Sequence, residues 1–186
     1  MKQLESAGCV ASGKLRGFAT FVIMAGSKEN GADFSAPPMM SMGVEHLCDV
    51  ILPFYPRVFE TPLGTRQVIV TNEGQVIGRQ LRGELQAFSS IGLFTKDGVA
   101  TGSGSCVMHT EDGADILAWV RGKVPPTVEE PLQTMYRAKN RTWLNSWGSA
   151  SFETGDERYL WLNSAISILQ VGFSGSEAFL RFYLIT

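Results

Sequence analysis

The side chains able to do chemistry in this 186-residue chain are few and scattered. Two histidines are present: His46 lies between Glu45 and Asp49, and His109 precedes Thr110 and Glu111. An imidazole titrates near neutral pH and can accept or give a proton there. His109 is therefore a candidate general base, with an ordinary hydrogen-bonding histidine at a strand end as the competing reading. Gln80, Arg82, Glu84 and Gln86 recur at every second position, which on a strand places them on one face. Arg82 and Glu84 join His109 and Tyr159 as the catalytic candidates. Tyr159 belongs to the most distinctive stretch, FETGDERYLWLN at 152–163, where Tyr159, Trp161 and Asn163 alternate. On a strand these three point to one side and offer apolar area with polar tips, as a ligand cavity wall does. A core row whose polar tips bond the backbone is the other reading. Trp161 and Asn163, with Trp119, Trp143, Tyr136 and Arg137, are the substrate-binding candidates, and Trp147 stands near enough in sequence to complete an aromatic pocket.

Several chemistries are excluded by what the sequence lacks. It carries no phosphate-binding loop, no HExxH, no nucleophile elbow and no dinucleotide fingerprint. The glycine-containing GSGSC at 102–106 lies inside a strand-like stretch, not ahead of a helix. No cofactor is expected. A metal centre would need both histidines joined by distant carboxylates, and none is expected either. Lys and Arg number 16 against 18 Asp and Glu, mixed along the chain for a net charge of −2. That balance lacks the basic stripe of a nucleic-acid binder. The three cysteines, Cys9, Cys48 and Cys106, are odd in number and far apart. They fit neither a disulfide framework nor a zinc site, and a reduced, cytoplasmic setting is expected.

The elements that must position these residues read as strands. From Val44 onward, short runs rich in Val, Ile, Phe and Trp alternate with turn signals. The predicted strands are His46–Pro53, Arg66–Thr71, Gly74–Phe88, Gly98–His109, Ala114–Val120, Thr142–Glu153, Ser164–Phe173 and Ala178–Ile185. Their separators, Asn72-Glu73-Gly74, Lys96-Asp97-Gly98, Glu111-Asp112-Gly113 and Ser174-Gly175-Ser176, supply tight-turn residues. In Gly98–His109, the set Thr101, Ser103, Ser105, Val107 and His109 opposes Gly102, Gly104, Cys106 and Met108. The last strand is apolar on both faces except at Arg181, which makes it central and well covered and admits a homodimer. Thr127–Ala138 has capping-box spacing from Thr127 to Glu130 and predicts one short helix, with a loop as the alternative because of Pro131. The fold class expected is mainly β: one antiparallel barrel or sandwich.

Residues 1–43 read as an extension, an extra strand or a capping segment. Within it Gly17–Gly26 (GFATFVIMAG) follows Lys14 and Arg16. A signal peptide is the alternative reading of that run. It is far shorter than the ~20 apolar residues that cross a bilayer, so no membrane span is expected.

The pieces EHLCDV (45–50), LGTRQVIVTNEGQVIGRQLRGEL (63–85), TKDG (95–98), HTEDGADI (109–116) and FETGDERYLWLN (152–163) occur in the order found in the domain-of-unknown-function 3237 barrels. The chain resembles that family over about residues 44–186. The resemblance implies a single antiparallel β-barrel, similar to lipocalin-like or allene-oxide-cyclase-like barrels, and no established general activity. The family pattern also carries an Asp-Trp pair after the RGEL-like strand and an Arg before the TEDG-like turn. This chain has Ser89-Ser90-Ile91-Gly92 and Ser103-Gly104-Ser105 at those places, which implies an interior that is more apolar or differently wired. The function expected is a cofactor-independent isomerase, cyclase or lyase acting on a small hydrophobic compound held in the barrel. The alternative is a carrier that binds such a compound without chemistry.

Overall fold

The structure, a computed structural model, describes residues 42–124, 137, 139–140 and 142–186. The apolar run at 17–26 and the expected helix Thr127–Ala138 lie outside the described residues, except that Arg137 is helical and exposed.

Among the described residues ten strands follow one another: β1 (Val44–Pro53), β2 (Arg57–Thr61), β3 (Gly64–Thr71), β4 (Gln75–Ile77), β5 (Gly83–Phe94), β6 (Ala100–Thr110), β7 (Asp115–Val124), β8 (Thr142–Glu153), β9 (Ser167–Ser174) and β10 (Glu177–Ile185). The paired order is β2-β3-β5-β4-β1-β10-β9-β8-β7-β6, and a further β5–β6 pairing joins the ends. The result is a closed, antiparallel, eight-strand barrel. It is eight because β1 with β2, and β3 with β4, each make one interrupted strand: β2 pairs β3 while β1 pairs β4.

Two sequence expectations are corrected. Gly74–Phe88 is not one strand, and Asn72-Glu73-Gly74 is not a hairpin turn. β3 and β4 face β5 in one unbroken register, from Thr65↔Phe94 through Thr71↔Phe88 to Val76↔Gly83. The 72–74 stretch is only a bend, bridged by Leu85 N–H donating to the Gly74 carbonyl at 3.1 Å. The chain reverses between Ile77 and Gly83 instead. Gly78 permits this because a Cβ there would stand 2.3 Å from the Leu47 carbonyl oxygen. The alternation expected across 77–86 is broken there, so Ile77 is exposed while Leu81 and Leu85 are buried.

The other turns form as their chemistry dictates. Thr95-Lys96-Asp97-Gly98-Val99 and Thr110-Glu111-Asp112-Gly113-Ala114 are the same turn used twice. In each, the threonine N–H donates to the carbonyl four residues on, at 2.9 Å, and the threonine hydroxyl bonds the aspartate. Gly98 and Gly113 sit at φ of +84° and +90°, a region that a side chain disfavours. These hairpins fix the register of β5, β6 and β7, and hence which residues face inward.

The opposed residue sets of β6 and β10 now acquire an inside and an outside. Cys106 and Met108 on β6 and Ala178, Leu180, Phe182 and Leu184 on β10 are buried in one core with Leu85, Ile116 and Phe152. Among the described residues no helix is long and apolar enough to cross a membrane.

Candidate functional site

Much of the chemistry singled out in the sequence gathers at one end of the barrel, on its outside. Glu84 pairs in register with His109, and His109 with Asp115. His109 Nδ1 lies 2.7 Å from Asp115 Oδ1, with both side chains substantially exposed. Nearby, the Tyr159 hydroxyl donates to both carboxylate oxygens of Asp112, at 3.1 and 3.0 Å. Arg158 reaches Asp112 and Asp156 at 2.9 and 2.7 Å. Burial and the Asp112 hydrogen bond push the Tyr159 hydroxyl up. Arg158 holds Asp156 down at about 2. Arg82 is exposed, and its carbonyl accepts from Glu111 N–H at 2.9 Å. The structure thus brings Glu84, His109 and Tyr159 to one end, with Glu84 and His109 exposed and Tyr159 half-buried against the core.

The barrel interior at this end is filled by side chains. Leu85, Met108, Ile116, Phe152 and Phe182 are all buried, and the Phe152 and Phe182 rings stand 5.6 Å apart.

The stretch carrying Tyr159, Trp161 and Asn163 is not a strand, which corrects the expected cavity wall. β8 stops at Glu153, and Leu160–Ser164 forms a single 3-10 turn that buries Leu162. The turn forms because Asn163 clips its flank: Thr154 N–H donates to Asn163 Oδ1 at 2.9 Å, and Asn163 Nδ2 donates to the Thr154 carbonyl at 3.0 Å. Thr154 Oγ1 in turn donates to the Asp115 carbonyl at 2.7 Å. Asn163 satisfies backbone, and Trp161 is exposed.

The expected aromatic pocket is also redistributed. Trp119 lies on the outer face beside Ser105 and Ser151 and is exposed. Trp143 packs on Phe179, and the Arg181 guanidinium stands 4.5 Å over its ring. Arg181 is held by Asp49 through two bonds of 2.7 Å, and His46 Nε2 lies 3.0 Å from the same carboxylate. Burial pushes the Asp49 carboxyl up, but the hydrogen bonds from Arg181 and His46 outweigh it and hold the group below its ordinary value. Tyr136 lies outside the described residues. Among the described residues no group of three His, Cys, Asp or Glu side chains could hold a metal ion.

The opposite end is hollow. A cavity of about 130 Å³ lies there, walled by Ile69, Phe88, Phe94, Val120, Leu169 and Leu180, among others. Glycines stand in its wall in place of side chains: Gly92, Gly102 and Gly122 follow one another in register across β5, β6 and β7. Gly148 of β8 continues the row opposite Gly122 without lining the cavity. A Cβ at Gly102 would meet nothing closer than the Ile91 carbonyl oxygen at 4.0 Å. At the end of this row, opposite Gly92, stands Gln67 of β3. A Cβ on Gly92 would lie 3.5 Å from Gln67 Oε1, so that glycine leaves room for the amide. On the far side, Leu144 and Ser146 share strand parity with buried Ala150 and Phe152 and belong to the buried wall. Arg121, Lys123 and Trp147, all exposed, reach its margin from the outer face.

Gln67 and Ser146 escaped the sequence reading. Gln67 shares strand parity with buried Ile69, and that parity could have found it. Ser146 shares parity with buried Leu144, Ala150 and Phe152, and the same alternation could have found it.

This architecture, a closed antiparallel barrel with one hollow end, defines the class of protein. A family model described as "Protein of unknown function (DUF3237)" matches residues 43–185, and the chain belongs to that family. The fold is similar to that of a protein of unknown function from Clostridium acetobutylicum, at 22% identity and TM-score 0.68 over 78% of this chain and 100% of that one. It is also similar to a β-barrel-like protein from Acinetobacter baumannii, at 21% identity and TM-score 0.62 over 83% and 100%. A structure described as an enzyme from Penicillium herquei aligns at 16% identity and TM-score 0.60, over 82% of this chain and 100% of its own. Among curated proteins no match is found.

Proposed function

We propose that this barrel binds a small, largely apolar molecule in its hollow end, as a carrier or binding protein. The carrying observation is the cavity of about 130 Å³ with its mainly aliphatic and aromatic wall. A dry apolar void of about this size, roughly 150 Å³, is known to accept benzene. Leaving such space empty forfeits dispersion contacts on every wall atom, and the aligned glycines keep it empty.

Isomerase, cyclase or lyase chemistry inside the barrel would need an acid or base facing the ligand. The described residues that wall the cavity include no carboxylate and no imidazole; their only ionisable groups are Arg121 and Lys123, which belong to the outer face. Glu84, His109, Tyr159 and Arg82 are not among the wall residues. This favours binding over catalysis.

The test is titration of toluene into the full chain, followed by methyl NMR of Ile69, Leu169 and Leu180. Saturable shifts confined to these methyls in the wild type, and their loss in Gly102→Leu, are expected. Equal response in both proteins, or none in the wild type, would overturn the reading.

A further inference from the structure

We infer that Gln67 and Ser146 are polar anchors, and that the cavity's ligand is an uncharged molecule of single-ring size with hydrogen-bonding groups at two opposed positions. This rests on the binding reading above.

Gln67 is 6% exposed and Ser146 is 4% exposed. Gln67 Nε2 and Ser146 Oγ are both buried without a hydrogen-bond partner, and both residues wall the same cavity. Folded proteins leave few such groups unsatisfied. Replacing either by an apolar residue of similar shape would be neutral or stabilising for the fold alone. Their presence therefore points to a partner from outside the chain.

The topology separates the two. Reading round the closed ring from β3 through β5, β6 and β7 to β8 takes four steps out of eight. The strands carrying Gln67 and Ser146 are on opposite walls, which is why the two do not satisfy one another. One ligand satisfying both must be polar at opposite ends and apolar between them, where Ile69, Phe88, Leu169 and Leu180 make the wall. Gln67 Nε2 is a donor, so the end facing it must accept. The hydroxyl of Ser146 can donate or accept.

The charge of the ligand follows from what the wall lacks. Among the described wall residues no inward-facing cation is present to neutralise an acid, because Arg121 and Lys123 are exposed and alternate with buried Val120 and Val124. An unpaired buried charge is strongly disfavoured. A neutral alcohol, phenol or carbonyl compound fits, and a carboxylate does not.

Four probes at pH 6 test this by NMR titration: toluene, 4-methylphenol, 4-hydroxybenzyl alcohol and 4-hydroxybenzoate. The wild type should bind 4-hydroxybenzyl alcohol about tenfold or more tighter than toluene, with 4-methylphenol between. 4-Hydroxybenzoate should be the weakest. Gln67→Leu and Ser146→Ala should each weaken 4-hydroxybenzyl alcohol about tenfold and leave toluene within about twofold. Thermal unfolding without probe should show both variants folded, with the Gln67→Leu midpoint unchanged or raised. Toluene binding as tightly as the diol, or variants that bind all four as the wild type does, would overturn the anchors while leaving the cavity's binding role intact. Failure of every probe to bind the wild type would overturn both.

Discussion

The two ends of this barrel use the same strands to opposite purpose. Toward the β6–β7 turn, β5, β6, β7 and β8 point Leu85, Met108, Ile116 and Phe152 inward, and the interior is solid. Toward the β5–β6 turn, β5, β6 and β7 present Gly92, Gly102 and Gly122 to the interior, which is hollow. The ionisable groups Glu84, His109, Asp112, Asp115 and Tyr159 ring the solid end from outside. The hollow interior, among the described residues, offers two unpartnered neutral polar groups, Gln67 and Ser146, while Arg121 and Lys123 stand on its outer face. Residues that look chemical and the space that can hold a molecule are thus at different places. Proximity in sequence to reactive side chains is a poor guide to where a barrel binds.

The sharpest test of this contrast uses one strand and one substitution. Leu184→Ala at the solid end should cost about 3–5 kcal/mol, read by chemical denaturation, since the loss opens a new void in packed surroundings. Leu180→Ala, at the hollow end, should cost about 2 kcal/mol, because one side of that side chain already faces a void. Equal losses would erase the distinction.

Within the glycine row a second contrast follows. Gly148→Ala should cost about 1–3 kcal/mol, because its Cβ would stand 2.2 Å from the Arg121 carbonyl oxygen. Gly102→Ala should stay within about 0.5 kcal/mol of wild type, the new methyl entering open space. Thermal melts of the two variants side by side decide this.

The Asp49–Arg181 pair on the outer face should give the barrel an acid limb of moderate size. The folded Asp49 carboxyl lies below its ordinary value of 3.8. Its stabilisation is therefore fully present above that value and is lost as pH falls through the lower folded value. Asp49→Asn should cost about 1–3 kcal/mol at pH 7 and progressively less toward pH 2, followed by denaturation at a series of pH values. A pH-independent cost would show the pair to be a packing contact only.

The smallest effect is expected at the outer ring of the solid end. His109→Ala and Glu84→Gln should each change stability by less than about 0.5 kcal/mol and leave toluene binding unaltered. Loss of binding in either would move the site to that end.

The register of the hollow row is partly legible once the repeated turn is recognised. Thr95-Lys96-Asp97-Gly98-Val99 reflects Gly92 onto Gly102, and Thr110-Glu111-Asp112-Gly113-Ala114 reflects Gly102 onto Gly122. Local alternation likewise separates the two faces of β6, because parity on a strand follows from backbone geometry alone, whereas β10 is apolar on both faces and the closed barrel decides which set lines the core. The turn expected at Asn72-Glu73-Gly74 fails for a different reason. Turn-forming residues permit a reversal, but pairing with β5 on both sides of the bend holds β3 and β4 in one line. Tyr159, Trp161 and Asn163 alternate as a strand would, yet Asn163 finds its best partners in the Thr154 backbone, and the chain winds into a 3-10 turn.

The sequence by itself determined the family, the strand-rich fold, the paired turns and the parity of the inner faces, all of which depend on contacts between residues close in the chain or on side-chain alternation. Only the tertiary structure decided which end is empty, because that depends on what the paired strands place at one level of the ring. It also decided that Gln67 and Ser146 stand without partners, since hydrogen-bond satisfaction is a property of the closed ring and not of any one strand.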